Sequence, residues 1–269
     1  MATELVAAVE TDRPWNGTIL SDGHRLARYL VAPSSRDASL APTAGLPAFL
    51  LCHGFPSAPL TARQSGVTFP ELVDRVRNTL EWPAMTFTFR GCGDSEGSFS
   101  AQGWLNDLRA AIDHLEEQVQ PSEIFLAGTS TGGALGLCVA ATDPRIRGLA
   151  LLGVPAHFDH WIADPNRLLK DARDVGAIRD DDFPESFDSW KNELGLCAPT
   201  EAARQLARRP VLLLHGDEDD VVPLSDVHVL AEAHGSAEVR VIKGGGHRLR
   251  HDPRAVAMLL GWLERSAGQ

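Results

Sequence analysis

The chain has 269 residues, of which 43% are hydrophobic and 23% charged, and its net charge is −11. That length can bury a sizeable core, and the apolar-to-charged balance is that of a globular protein. The negative charge argues against nucleic acid or an anionic membrane surface as a partner, since both are polyanions.

The first elements read as antiparallel strands. Thr18–Leu20 and Arg25–Val31 flank Ser21-Asp22-Gly23, a hairpin turn signal. A loop rich in Pro, Ser and Ala follows from about Pro33 to Gly45, and then the pattern changes. Short apolar runs, Pro47–Cys52, Met85–Phe89, Ile124–Ala127, Ile146–Val154, Val211–Leu214 and Val239–Ile242, predict strands. Helical stretches separate them. One begins at Glu71–Val76, and a second carries Trp104, Leu108, Ala111, Ile112 and Leu115 on one face. A third spans Ala134–Ala141 and a last one Ala255–Leu263. Strands apolar throughout and alternating with helices indicate a parallel sheet covered on both faces. The stretch from about Pro155 to Arg209 holds no clear strand, only helical pieces near Asn166–Arg173 and Thr200–Arg208. A structureless loop of that length is improbable in a compact domain. The expected organisation is therefore a core of residues 1–154 and 210–269, with a helical cap over residues 155–209.

Cys52, Cys92, Cys138 and Cys197 are widely spread, with no C-x-x-C pair. Cys52 and Cys138 sit inside apolar runs, which suits free thiols in a reducing compartment. The opening MATELVAAVETDRPW lacks the basic region of a signal peptide, and no apolar run approaches a bilayer span. A soluble cytoplasmic protein is the expectation.

The sharpest motif is Gly128-Thr129-Ser130-Thr131-Gly132, between a predicted strand and a predicted helix. G-x-S-x-G at that junction is a nucleophile elbow, in which small neighbours permit a strained serine. A serine hydroxyl needs a base in hydrogen-bond reach, and the base needs an orienting acid. Both follow in chain order. Leu214-His215-Gly216-Asp217-Glu218-Asp219-Asp220-Val221-Val222-Pro223 comes after the Val211 strand, and Gly244-Gly245-Gly246-His247-Arg248 comes after the last one. His247 is the candidate base, with His251 as its nearest rival.

These segments, together with His53-Gly54-Phe55-Pro56 and Arg90-Gly91-Cys92-Gly93-Asp94-Ser95-Glu96-Gly97, resemble the α/β-hydrolase superfamily in type and order. Within it, the chain looks most like small-lid esterases and acyl-peptidase-like hydrolases, including cinnamoyl and feruloyl esterases. The resemblance to H-G-x-x-D-x-x-V-P singles out Asp219 as the acid. It implies an oxyanion hole from the backbone N–H groups of Phe55 and Thr131, a loop-shaping role for His53, and a structural role for the Arg90 loop. It further implies a monomer or homodimer with no cofactor.

The sequence contains no phosphate loop, no H-E-x-x-H and no paired Cys/His cluster. His157, Asp159 and His160 read as lid residues near the mouth of the site, in preference to a metal site. Phe158, Trp161 and Trp190, with Phe183 and Phe187, are candidates for lining an apolar acyl pocket. The expected function is hydrolysis of a small-molecule carboxylic ester through acyl-Ser130. The same machinery serves thioesters, amides and peptides. A ligand-binding protein on this fold, the alternative class, would normally have lost catalytic residues that are all present here.

Overall fold

A computed structural model describes residues 14–33, 45–206 and 208–267. The expected loop after Pro33 and the stretch before Pro14 lie outside these residues. Among the described residues, eight strands form one sheet: β1 Gly17–Ser21, β2 His24–Val31, β3 Ala48–Cys52, β4 Ala84–Phe87, β5 Ile124–Thr129, β6 Ile146–Leu152, β7 Val211–Gly216 and β8 Glu238–Ile242. Their order is β1-β2-β4-β3-β5-β6-β7-β8. β1 and β2 pair antiparallel, as do β2 and β4, and all later neighbours run parallel. The hairpin turn is made by Asp22 and Gly23 at φ 47° and 82°. Positive φ at both positions twists a two-residue turn to match its strands.

Helices α1 (Phe69–Leu80), α2 (Ala101–Val119), α3 (Thr131–Ala140), α8 (Leu224–His234) and α9 (Pro253–Ala267) cover the sheet. Alternation along β3 shows why both faces must be covered. Leu50 joins one apolar cluster with Trp104, Leu108 and Ile112 of α2, while Phe49 and Leu51 join another with Val73 of α1 and Leu259 of α9. On this second face Phe125 is flanked by Trp82 and Trp262, with ring centroids 5.4 and 5.9 Å away. The predicted face of α2 is the one buried, and its N-terminus is capped by the Ser100 hydroxyl accepting the Gly103 amide at 3.0 Å.

Between β6 and β7 lie α4 (Asp159–Ala163), α5 (Pro165–Asp174), α6 (Phe187–Glu193) and α7 (Pro199–Gln205). α7 packs against α3 and α8, so it belongs to the layer covering the sheet. Helices α4 and α5 stand over the carboxyl ends of the strands, sharing a cleft with Ser130. The Asp226 carboxylate accepts the Ala156 amide at 2.9 Å, and the Thr200 hydroxyl donates to the Ala156 carbonyl at 2.8 Å. Together these bonds tie the start of the insertion to α8 and α7. The Cys138 and Cys197 sulfurs meet at 2.6 Å between α3 and the segment before α7, and all four cysteines are free thiols. Among the described residues, no helix is long and apolar enough to cross a membrane.

Candidate active site

The site forms where the strand order reverses. From β3 the chain crosses to β4 on one side, and from β4 it crosses back to β5 on the other. In open α/β sheets, ligands bind outside the carboxyl ends of the strands at such a switch point. Ser130 stands there, between β5 and α3, at φ 48° and ψ −128°. That strained backbone is held by its amide donating to the Leu152 carbonyl at 2.9 Å, and by its carbonyl accepting the Gly133 and Ala134 amides. The elbow tolerates no side chain at Gly132, where a Cβ would stand 2.1 Å from the His53 carbonyl oxygen. The close approach of α3 to the β3 exit loop thus dictates the second glycine of the motif.

His247 and Asp219 come from the loops after β8 and β7. The imidazole Nδ1 lies 2.9 and 3.1 Å from the two carboxylate oxygens. The Asp219 side chain is fully buried, and its Oδ1 also accepts the Val221 and Val222 amides at 2.9 Å each. Three neutral or charge-assisted donors therefore stabilise the carboxylate in an otherwise costly position. The other acids of the loop are engaged or turned elsewhere. Asp217 accepts the Gly244 amide at 2.6 Å at the surface, and Glu218 and Asp220 are exposed. His251, the rival base, is exposed at the end of the turn Leu249–His251, beside Arg250.

Two residues that sequence reasoning did not single out shape this pair. Gly153 follows β6 at φ 58°, and a Cβ there would lie 3.1 Å from Asp219 Oδ2 and 3.3 Å from His247 Nδ1. His215 is buried; its ring donates to the Val222 carbonyl at 2.9 Å and sits 3.6 Å from Asp219. The ring thereby braces the acid loop. Its place in the H-G-x-x-D motif was the available signal.

The β3 exit loop is organised by His53. Its Nε2 accepts the Phe89 amide at 3.1 Å, which leaves the proton on Nδ1 to be donated to the Gly54 carbonyl at 2.8 Å. Burial drives the pKa of this ring down to about 4, against opposition from the Gly54 bond and with a small push from Arg250. The neutral ring fixes the Gly54 carbonyl, and in a trans peptide the Phe55 N–H points the opposite way. Gly54 packs on Ser130, since a Cβ there would be 3.5 Å from Ser130 Oγ. Thr131 contributes the first amide of α3, which has no acceptor within its own helix.

The Arg90 loop is structural. The buried guanidinium grips Asp107 of α2 at 2.6 Å and Asp22 of the hairpin turn at 2.9 Å. Glu96 pairs with Arg25 at the surface.

A cleft of about 830 Å³ opens over Ser130 and Thr131, with Phe55, Phe158 and Trp161 among its lining residues. Trp190 is not among them. It is 2% exposed, donates its indole N–H to the Phe99 carbonyl at 3.1 Å, and stacks on Phe187. The structure therefore places this predicted pocket residue in the packing between α6 and α2. His157, Asp159 and His160 line the cleft mouth. Among the described residues, no group of three or more His, Cys, Asp or Glu side chains is arranged to hold a metal ion.

Residues 49–259 match the model of the alpha/beta hydrolase family. The chain belongs to that family. Among curated relatives, the protein YfhR of Salmonella typhi is 30% identical over 150 residues, covering 52% of this chain and 46% of its own length. The mitochondrial palmitoyl-protein thioesterase ABHD10 of Bos taurus is 27% identical over 178 residues, covering 61% and 56%. The chain thus spans about half the length of these relatives. Among solved structures, Est1E from Butyrivibrio proteoclasticus superposes with a TM-score of 0.68 at 19% identity, covering 94% of this chain and 98% of its own. A further structure of Est1E holds ferulic acid.

Proposed function

We propose that the protein is a serine hydrolase that cleaves carboxylic esters, with Ser130, His247 and Asp219 as its catalytic residues. One observation carries this reading: His247 and Asp219 pair at 2.9 Å against Gly153, the residue next to the Leu152 carbonyl that holds the Ser130 amide. Nucleophile, base and acid thereby abut one strand end.

The chemistry follows from the roles these groups have. Ser130 Oγ attacks the acyl carbon while its proton passes to His247 Nε2. The Nδ1–H bond to Asp219 fixes the tautomer that leaves Nε2 free to accept, and the carboxylate stabilises the imidazolium. The carbonyl oxygen, now an oxyanion, is held by the amides of Thr131 and Phe55. The C–O bond to the alcohol breaks, and the alcohol leaves with the proton from His247. Water then repeats the sequence on acyl-Ser130, giving the acid and the free hydroxyl.

The cleft volume is that of a small-molecule site. Five of its lining residues are aspartates against a single arginine, Arg167, which favours neutral or cationic esters over those bearing free carboxylates or phosphates. The thioesterase name of one relative and the ferulic acid held by Est1E point to the same acyl chemistry. The test is hydrolysis of p-nitrophenyl butyrate. Ser130→Ala and His247→Ala should each lower kcat by about 10⁴- to 10⁶-fold with folding intact. Undiminished turnover in either variant would remove that residue from the mechanism.

A further inference from the structure

Beside the cleft lies a second, much smaller space of about 10 Å³, room for roughly one water-sized group. Phe99 and Trp104, Leu135 of α3, and Leu194 wall it on the core side. Three residues face both spaces: Thr131, Phe158 and Trp161. The partition is a stacked aromatic pair, since the Phe158 and Trp161 rings lie 4.5 Å apart at 24°. Trp161 also meets Phe55 and Phe99 edge-on at 5.5 and 5.9 Å. Its anchorage is unequal to that of its neighbours. Phe158 is buried, whereas Trp161 is half-buried and sits on α4, five residues long with none of them buried.

We propose that Trp161 sets the acyl-chain limit of the enzyme by closing this apolar compartment off from the cleft beside the nucleophile. The proposal rests on the esterase reading and deepens it. The compartment adjoins Thr131, whose amide holds the carbonyl oxygen in that reading, so it lies where the acyl portion of the substrate must start. Its walls are apolar apart from Thr131, and such a space stays dry, so an alkyl or aryl chain entering it displaces no hydrogen-bonded water. With the indole in place, the chain is turned into the open cleft, whose rim is lined by carboxylates. Without it, the two spaces merge and a longer chain finds apolar contact on all sides.

The test compares kcat/KM for p-nitrophenyl octanoate with that for p-nitrophenyl butyrate. In Trp161→Ala, the octanoate-to-butyrate ratio should rise by about ten-fold, the gain from roughly two further methylenes removed from water. Adding Leu135→Phe to Trp161→Ala should refill the compartment and return the ratio towards wild type. Ile162→Ala, exposed on the same helix and bordering neither space, should leave the ratio unchanged. Trp161→Leu carries the same expectation if the alanine variant does not fold. A folded Trp161 variant that retains ester hydrolysis with the wild-type ratio would overturn the proposal and leave the esterase reading intact. A wild-type protein that hydrolyses neither ester would defeat the esterase reading, and this proposal with it.

Discussion

The His247 imidazole meets Asp219 at 2.9 Å across a separation of 28 residues, and the carboxylate it meets is already bonded to the amides of Val221 and Val222. The Asp219 carboxylate is therefore held by its own loop as well as by the ring, so the ring is oriented by a fixed partner. Replacing Asp219 by Asn keeps the shape but no longer demands the Nδ1–H tautomer. Asp219→Asn should lower kcat for ester hydrolysis by about 10³- to 10⁴-fold, less than loss of Ser130. Asp217→Asn, at the exposed turn, should stay within a few-fold of wild type. The reverse ranking would transfer the role to Asp217.

Gly153 gives a sharper probe of the same pair, because it contributes no functional group. A methyl there meets Asp219 Oδ2 at 3.1 Å and His247 Nδ1 at 3.3 Å, on a backbone at φ 58°. Gly153→Ala should cost about 1–2 kcal/mol from the left-handed conformation and lower kcat by about ten-fold or more as the ring is displaced. Thermal melting and steady-state kinetics on one preparation separate the two effects. Unchanged kcat would mean that the ring tolerates displacement from this strand end.

His53 makes the fold sensitive to acid. In the unfolded chain its ring takes up a proton near the ordinary value of 6.5, while the native ring refuses it until about pH 4. Between these limits the unfolded state binds more protons, so stability falls as pH drops through the window. Burial lowers the values of His114 and His234 as well, and they act in the same direction. Thermal melts taken downwards from about pH 6.5 should show a steadily falling Tm. A flat or rising Tm would show that these rings are protonated in the native state.

Arg90 supplies a stability test away from the chemistry. Its guanidinium is 9% exposed, and Asp107 is fully buried, whereas Asp22 is half exposed. Removing Asp107 leaves the buried guanidinium with half-exposed Asp22 as its counter-charge and strands the Arg90 amide that Asp107 also accepts at 2.8 Å. Asp107→Ala should cost about 3–5 kcal/mol, and Asp22→Asn, which keeps a side chain suited to the turn, less than about 1 kcal/mol, by urea denaturation. Equal losses would contradict the burial argument.

Much of the candidate site's layout was legible because its determinants are local. Gly132 must be glycine where α3 meets the His53 carbonyl, and Asp219 and His247 sit at fixed offsets from strands that declare themselves by apolar runs. What escaped depends on the packing of remote segments. The strand predicted to reach Phe89 stops at Phe87, because the Phe89 amide is taken by the His53 ring and not by a neighbouring strand. α8 gave no clear periodic signal, since only Val227, Leu230 and His234 are buried while other apolar residues dot its remaining surface. The helices α4 and α6 span only five and seven residues, too short for a period to emerge. Trp190 and Trp161 look alike as cap aromatics. Only the fold decides that one packs against α2 and the other faces the cleft.

The most direct measurement is intact-protein and peptide mass spectrometry after treatment with a fluorophosphonate, which phosphonylates an activated serine. A single adduct is expected on the peptide bearing Ser130, absent in Ser130→Ala and strongly slowed in His247→Ala. Folded wild-type protein that stays unlabelled, or an adduct on a different serine, would contradict the account.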